Sequence, residues 1–255
     1  RINRRQRQMC IRDSLCVMLG GSMGPVASYN SNALWLRSPA EVAAEALELI
    51  AEGDFKALKF RMGRERLSDD LATAQALRDT LDDNIELMVD FNQGMDMAEA
   101  LSRCHAIDDL DLVWIEEPII YNDFGGYAKL ASELKTPLQI GENFYGVQDM
   151  YKALDAKACD LVMPDFMRIG GVTGWLQAAG LAAAANIPMS THLYPEVAAH
   201  VMRVTRTAHL LEWQAWAEAV LAEPYPVIKG KLEIPDRPGL GLDWDEEAVA
   251  RYQIE

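Results

Sequence analysis

Asp90, Glu116 and Glu142 follow one another at intervals of 26 residues, and each closes or directly follows a short apolar run: IELMVD, LVWIE and PLQIG. A step of about 25 to 30 residues holds one β-strand and one return helix, so the spacing predicts three carboxylates on consecutive parallel strands, all pointing into one mouth. Side by side in water-poor surroundings they would repel one another unless a cation lay between them. An all-oxygen donor set favours Mg²⁺ over a softer metal, so Mg²⁺ is the predicted cofactor.

Other apolar runs end in chemistry-bearing residues too. Lys59 and Arg61 lie in ALKFR, Asn92 follows Asp90, Glu117 follows Glu116, and Asn143 follows Glu142; Asp165, His192 and Glu212 end the later runs. An acid at a strand end is often only a helix cap. Helix caps, however, need not recur on strand after strand with cations on one side, acids in the middle and a histidine opposite. His105, His200 and His209 have no such context and read as structural residues.

These side chains need a repeating frame. Strand-like runs occur at 25–29, 57–61, 85–90, 112–116, 137–141, 160–164, 187–190 and 209–212. They are short and unalternating, as strands buried on both faces must be. Between them lie helical patterns at 66–82, 96–107, 124–134, 146–156 and 172–186. An earlier one opens with the capping box Ser38-Pro39-Ala40-Glu41 and stops at Gly53. An open doubly wound sheet would gather its site at one switch point, whereas here polar residues end nearly every strand. The expectation is therefore an α/β fold, a TIM-like barrel. No Gly-rich phosphate fingerprint follows the first strand, and the Gly170-Gly171 pair comes only after the sixth.

Composition narrows the partners. The chain has 255 residues, half of them hydrophobic, which suits one large barrel domain. Its net charge of −15 argues against nucleic acid and anionic membranes. Four cysteines without CxxC pairing, and no apolar stretch of the roughly 20 residues needed to span a bilayer, predict a soluble protein of a reducing, cytoplasmic compartment. Residues 1–14 (RINRRQRQMCIRDS) hold +4, leaving −19 for the rest. They read as a non-native or disordered basic segment resembling translated adapter sequence, with the barrel domain and a C-terminal extension at 15–255.

In order along the chain, the motifs ALKFRMG, MVDFNQ, WIEEP, IGENF, MPDFMRIGGVTGW, MSTHL and HLLEW, with IPDRPGLGLDW after them, resemble the enolase superfamily and its mandelate racemase-like subgroup. The resemblance implies a modified (β/α)7β barrel, with Mg²⁺ held by Asp90, Glu116 and Glu142. It also implies α-proton abstraction from a carboxylate through an enediolate, a 2-hydroxy or sugar acid being the substrate. Lys59 matches the first lysine of a Lys-x-Lys motif and would neutralise the substrate carboxylate. Glu212 could hydrogen-bond that carboxylate if protonated, Asp165 and His192 match a His-Asp dyad, and Ser31 and Asn92 match substrate contacts.

Arg61 departs from the family pattern by standing where the second lysine is usual. With a pKa above roughly 12, arginine hardly deprotonates, so base catalysis from that face is lost and one-base chemistry by the His192–Asp165 dyad remains. Dehydration of a sugar acid to a 2-keto-3-deoxy acid follows, with Arg61 a fixed cation for substrate oxygens. The alternatives are a racemase or epimerase of 2-hydroxy acids, and a lidless fragment that binds Mg²⁺ but turns over poorly, since relatives place an α+β capping domain before the barrel. Exposed apolar surface where a cap would dock would also favour self-association into a homo-oligomer.

Overall fold

The structure, a computed structural model, describes residues 12–253. Six parallel strands follow one another around the sheet: β1 (Val26–Asn30), β2 (Ala57–Arg61), β3 (Glu86–Asp90), β4 (Ile115–Glu116), β5 (Leu138–Ile140) and β6 (Leu161–Val162). β7 (Leu211–Trp213) pairs in parallel with β1. The gap between β6 and β7 is closed by residues 188–191. Met189 bridges Val162 on one side and Ala208 on the other, Ser190 N donates to Val162 O, and Thr191 N donates to Leu210 O. Eight staves therefore close into a barrel.

The seventh stave, expected as a strand over 187–190, makes only single-residue bridges. Pro188 has no N–H to give a continuous ladder, so its carbonyl alone, bonded by Val162 N, takes part there. The eighth strand begins two residues later than its apolar run.

Return helices cover the barrel: α2 (Pro39–Ala51), α3 (Leu67–Thr80), α4 (Met97–Ile107), α5 (Phe124–Glu133), α6 (Val147–Asp155) and α7 (Gly171–Ala185), preceded by the single turn α1 (Leu15–Met18). α2 begins as its sequence requires: Ser38 Oγ accepts from Glu41 N and the Glu41 carboxylate accepts from Ser38 N. Such a cap is worth about 1 kcal/mol. α8 (Pro195–Met202), not anticipated, completes the seven strand–helix units; it is short, and its residues from Ala198 on are buried. The arrangement is a (β/α)7β barrel.

Two cores result. The larger lies between strands and helices, and the smaller fills the barrel with Tyr29, Ala57, Met88, Trp114 and Leu161. After β7 the chain forms the hairpin β8–β9 (Val227–Ile228, Lys231–Leu232), and β9 lies antiparallel to β1. Positive φ at Lys229 and Gly230 gives its two-residue turn the handedness that suits twisted strands. α9 (Glu246–Tyr252) follows. Residues 1–11 of the basic segment lie outside the described residues. At its end, Gly239 N donates to Asp13 O and Ser14 bridges Gly239. Among the described residues, no helix is long and apolar enough to cross a membrane.

Candidate active site

Strand register sets the floor of the site. Arg61 pairs with Asp90, Asp90 with Glu116, and Glu116 with Gln139, so these residues form one layer at the strand ends. Lys59, two residues before Arg61, points into the barrel one layer below. Glu142 is not in register with the other two acids. It stands beyond the end of β5, reached through Gly141 at φ +135°, where an added Cβ would meet the Phe144 ring at 2.9 Å and Met163 N at 3.0 Å. Equal spacing in sequence thus becomes unequal height in the barrel. Even so, Asp90, Glu116 and Glu142 each offer a carboxylate oxygen within 4.8 Å of the others.

This donor set fits a hard divalent cation. Burial raises the Glu116 carboxyl well above its usual range, Lys59 lowers it, and Asp90, Glu212 and Glu142 raise it further. A cation among the three is what allows all of them to ionise together. Their neighbours orient them. Trp114 Nε1 donates to Glu116 Oε2 at 2.9 Å, Asn92 donates to Asp90 through its backbone N (2.7 Å) and its Nδ2 (3.0 Å), and Asn143 Nδ2 donates to Glu142 at 3.1 Å. Asn92, matched to a substrate contact, is therefore engaged with Asp90.

Lys59 sits at the centre. Its Nζ lies 2.5 Å from Glu116, 3.0 Å from Glu212 and 3.6 Å from Asp90. Burial would lower its pKa, but Glu116 and Glu212 outweigh burial and hold it well above the ordinary value. Glu212 lies on the other side of Lys59. Burial would raise its pKa, yet Lys59, His192 and the Leu193 N–H bring it down to about 2. These neighbours favour its ionised form, which accepts from Lys59 and from the Leu193 N–H.

His192 and Asp165 are brought together as expected, joined by a parallel bridge, with Nδ1 2.8 Å from Asp165 Oδ2. The other Asp165 oxygen accepts from Met167 N and Arg168 N, both at 2.8 Å. Burial opposes charge on the imidazole, but the Asp165 bond and the fields of Glu212 and Glu142 raise its pKa. His192 Nε2 faces the mouth, 3.3 Å from Glu142 Oε2.

Opposite lies Arg61, 5% exposed, its guanidinium carbon 5.0 Å from the centre of the Trp35 ring. Burial would lower its pKa, but Asp90, Glu116 and Glu212 raise it above the usual arginine value. Arg61 Nη2 and Gln214 Nε2 each reach Ser31 Oγ at 3.5 Å.

Sequence reasoning passed over Gln214. Gln214 is buried with an unpartnered Oε1, two residues past Glu212 and just beyond the end of β7, and that spacing could have revealed it. It helps to line a cavity of about 240 Å³ with Leu193, Tyr194, Glu196 and Trp216. Glu117, pushed up to about 9 by burial and by Glu142, accepts from Gln93 and Asn143. Among the remaining histidines, His200 is buried between Cys16 N and Tyr225 Oη, while His105 lies on the surface beside Glu133.

Comparison with known proteins places this geometry. A family model described as "Enolase C-terminal domain-like" matches residues 41–248. L-talarate/galactarate dehydratase of Salmonella typhimurium is 30% identical over 94% of this chain, which spans 60% of that enzyme's length. Among solved structures, an enolase of alpha proteobacterium bal199 with bound Mg is 63% identical with a TM-score of 0.93, over 96% of this chain and 68% of that one. An enolase from Bradyrhizobium in complex with magnesium and mandelic acid is 42% identical with a TM-score of 0.90, over 95% and 66%.

Proposed function

This chain belongs to the enolase C-terminal domain-like family, that of mandelate racemase and muconate lactonizing enzymes, and from that premise we propose that it serves an Mg²⁺-dependent enzyme that dehydrates a sugar acid to a 2-keto-3-deoxy acid. The observation that carries this reading is the asymmetry of the mouth. One side holds an imidazole with a carboxylate partner, and the other a guanidinium whose charge its neighbours lock in.

Asp90, Glu116 and Glu142 would hold Mg²⁺, which when bound would supply positive charge to the substrate carboxylate. Lys59 adds a fixed charge beside it. Asp165 holds His192 Nδ1–H, which leaves the Nε2 lone pair to take the α-proton. The imidazolium then returns that proton to the hydroxyl on the next carbon as the C–O bond breaks. Water departs, and the enol left behind tautomerises to the keto acid with no net oxidation. Arg61 fixes substrate oxygens on the opposite face without exchanging protons.

A second reading, racemisation of a 2-hydroxy acid, is favoured by the mandelic acid bound to the Bradyrhizobium relative. Incubation in D₂O with Mg²⁺ and a panel of sugar acids and both mandelate enantiomers separates the two. The chain should be assayed beside one lengthened to the size of its relatives. A keto acid formed with loss of water supports dehydration, whereas equal α-deuteration of both mandelates without loss of water overturns it. Calorimetric Mg²⁺ binding without turnover in either chain would favour a barrel that binds the metal but does no chemistry.

A further inference from the structure

Arg61 is held in an exacting setting. Its Nε and Nη1 have no hydrogen-bond partner among the described residues although the side chain is almost wholly buried, and Nε lies 3.5 Å from Asp90 without hydrogen-bond geometry. Buried donors left open are costly, so a group kept that way needs other contacts to hold it. The face of Trp35 provides one.

Trp35 is itself half exposed, on the loop that follows β1. That loop is tied down by a second arginine. Arg64 donates to Arg37 O through Nη2 (2.8 Å) and Nε (3.2 Å), to Trp35 O at 3.5 Å, and through Nη1 to Arg61 O at 3.2 Å. One guanidinium thus joins the backbones of both members of the Trp35–Arg61 stack. A lysine could not, because it lacks the planar fork of donors.

Arg64 is fixed in turn by Asp70, fully buried in the first turn of α3. Asp70 Oδ1 accepts from Arg64 Nη1 (3.1 Å) and Arg64 N (3.2 Å), and Oδ2 from Gly63 N (3.0 Å) and Arg103 Nη1 (2.9 Å). From the other side, Glu45 of α2 accepts from Leu34 N at 3.0 Å and pairs with Arg37 at 3.2 Å.

We propose that Trp35 and Arg64 are positioning residues for Arg61: Arg64, anchored by Asp70, ties the Trp35 loop to the end of β2, and the indole holds the guanidinium with Nε and Nη1 left unpartnered, to be met by substrate oxygens. The substrate part of this assignment rests on the reading of Arg61 as a fixed cation; the positioning part does not.

Labelling with phenylglyoxal, an arginine-selective reagent, read peptide by peptide by mass spectrometry, tests it without a substrate. Trp35→Ala and Arg64→Ala should each speed modification of Arg61 by about fivefold or more, the scale of a lost cation–π contact. Trp35→Phe, which keeps an aromatic face, should label as the parent does. Arg78, bonded to backbone carbonyls at the far end of α3, and calorimetric Mg²⁺ affinity serve as controls and should not change. An unchanged Arg61 rate in both alanine variants overturns the proposal. So does acceleration shared by Arg78 with weakened Mg²⁺ binding, which marks general loosening. If Arg64→Ala does not fold, the half-exposed Trp35 pair decides alone. Arg61→Met, assayed for turnover, tests the other reading: unchanged turnover removes Arg61 from substrate binding and leaves the labelling result standing.

Discussion

On one side of the barrel mouth Arg61 is buried beneath Trp35 and among carboxylates, while on the other His192 is hydrogen-bonded to Asp165 with 12% of its side chain reaching solvent. Both are basic side chains in acidic surroundings, yet their chemistry diverges. Acidic neighbours raise both pKa values. For a guanidinium, already far above neutrality, this only makes the charge permanent. An imidazole starts near neutrality, so the same neighbours leave it a base that can take up and return a proton. One face of the site is built for charge and the other for proton transfer.

Removing the mobile side should have the largest effect. His192→Asn is expected to lower turnover by about 10³-fold, within the range of a lost general base, with Mg²⁺ affinity by calorimetry little changed. A variant that kept parent activity would end the division of labour. Asp165→Asn keeps the imidazole but loses the charge that orients it, and should cost of order 10- to 100-fold, read as kcat at saturating substrate. Arg61→Lys tests the opposite face. Beside Lys59 and Mg²⁺ a lysine can lose its proton, so wash-in of deuterium from the second face should rise by about tenfold while dehydration falls. No gain of exchange would mean that the identity of this cation does not decide the reaction.

The smallest effect concerns Glu212, near both faces. Its folded pKa of about 2 lies below the ordinary value near 4.3, so the stabilisation from its ionised form is complete above that pH and is lost as pH falls toward 2. Glu212→Gln should be less stable than the parent at pH 5, and urea unfolding should show the difference shrinking at pH 3. A constant difference would mean that Glu212 is not held ionised by Lys59.

Much of this was legible along the chain. ALKFR is β2 without change of boundary, and the helix begun by Ser38 starts where its capping box says. The helices from 66 to 186 fall within two residues of their patterns, with Asp96 and Asp123 capping the starts of α4 and α5 and Asn186, in the left-handed conformation, ending α7. The seventh stave was less legible, since it is held by neighbours on both sides instead of by its own length. α8 was missed because it is short and mostly buried, so no amphipathic stripe announces it. The Trp35–Arg64–Asp70 clamp left no periodic trace, because it is assembled from loop carbonyls and one buried acid.

Residue identity and spacing by themselves determined the repeating strand–helix frame and the three acids, because period and local capping are properties of the chain as written, while the His-Asp pair came from the motifs that carry the family resemblance. Tertiary structure alone decided that Glu142 stands above the layer of Asp90 and Glu116, that the neighbours of Glu212 favour its ionised form, and that Arg61 lies under an indole with two donors unpartnered. These depend on strand register, burial and the summed field of neighbours distant in sequence. Those quantities exist only once the barrel has closed.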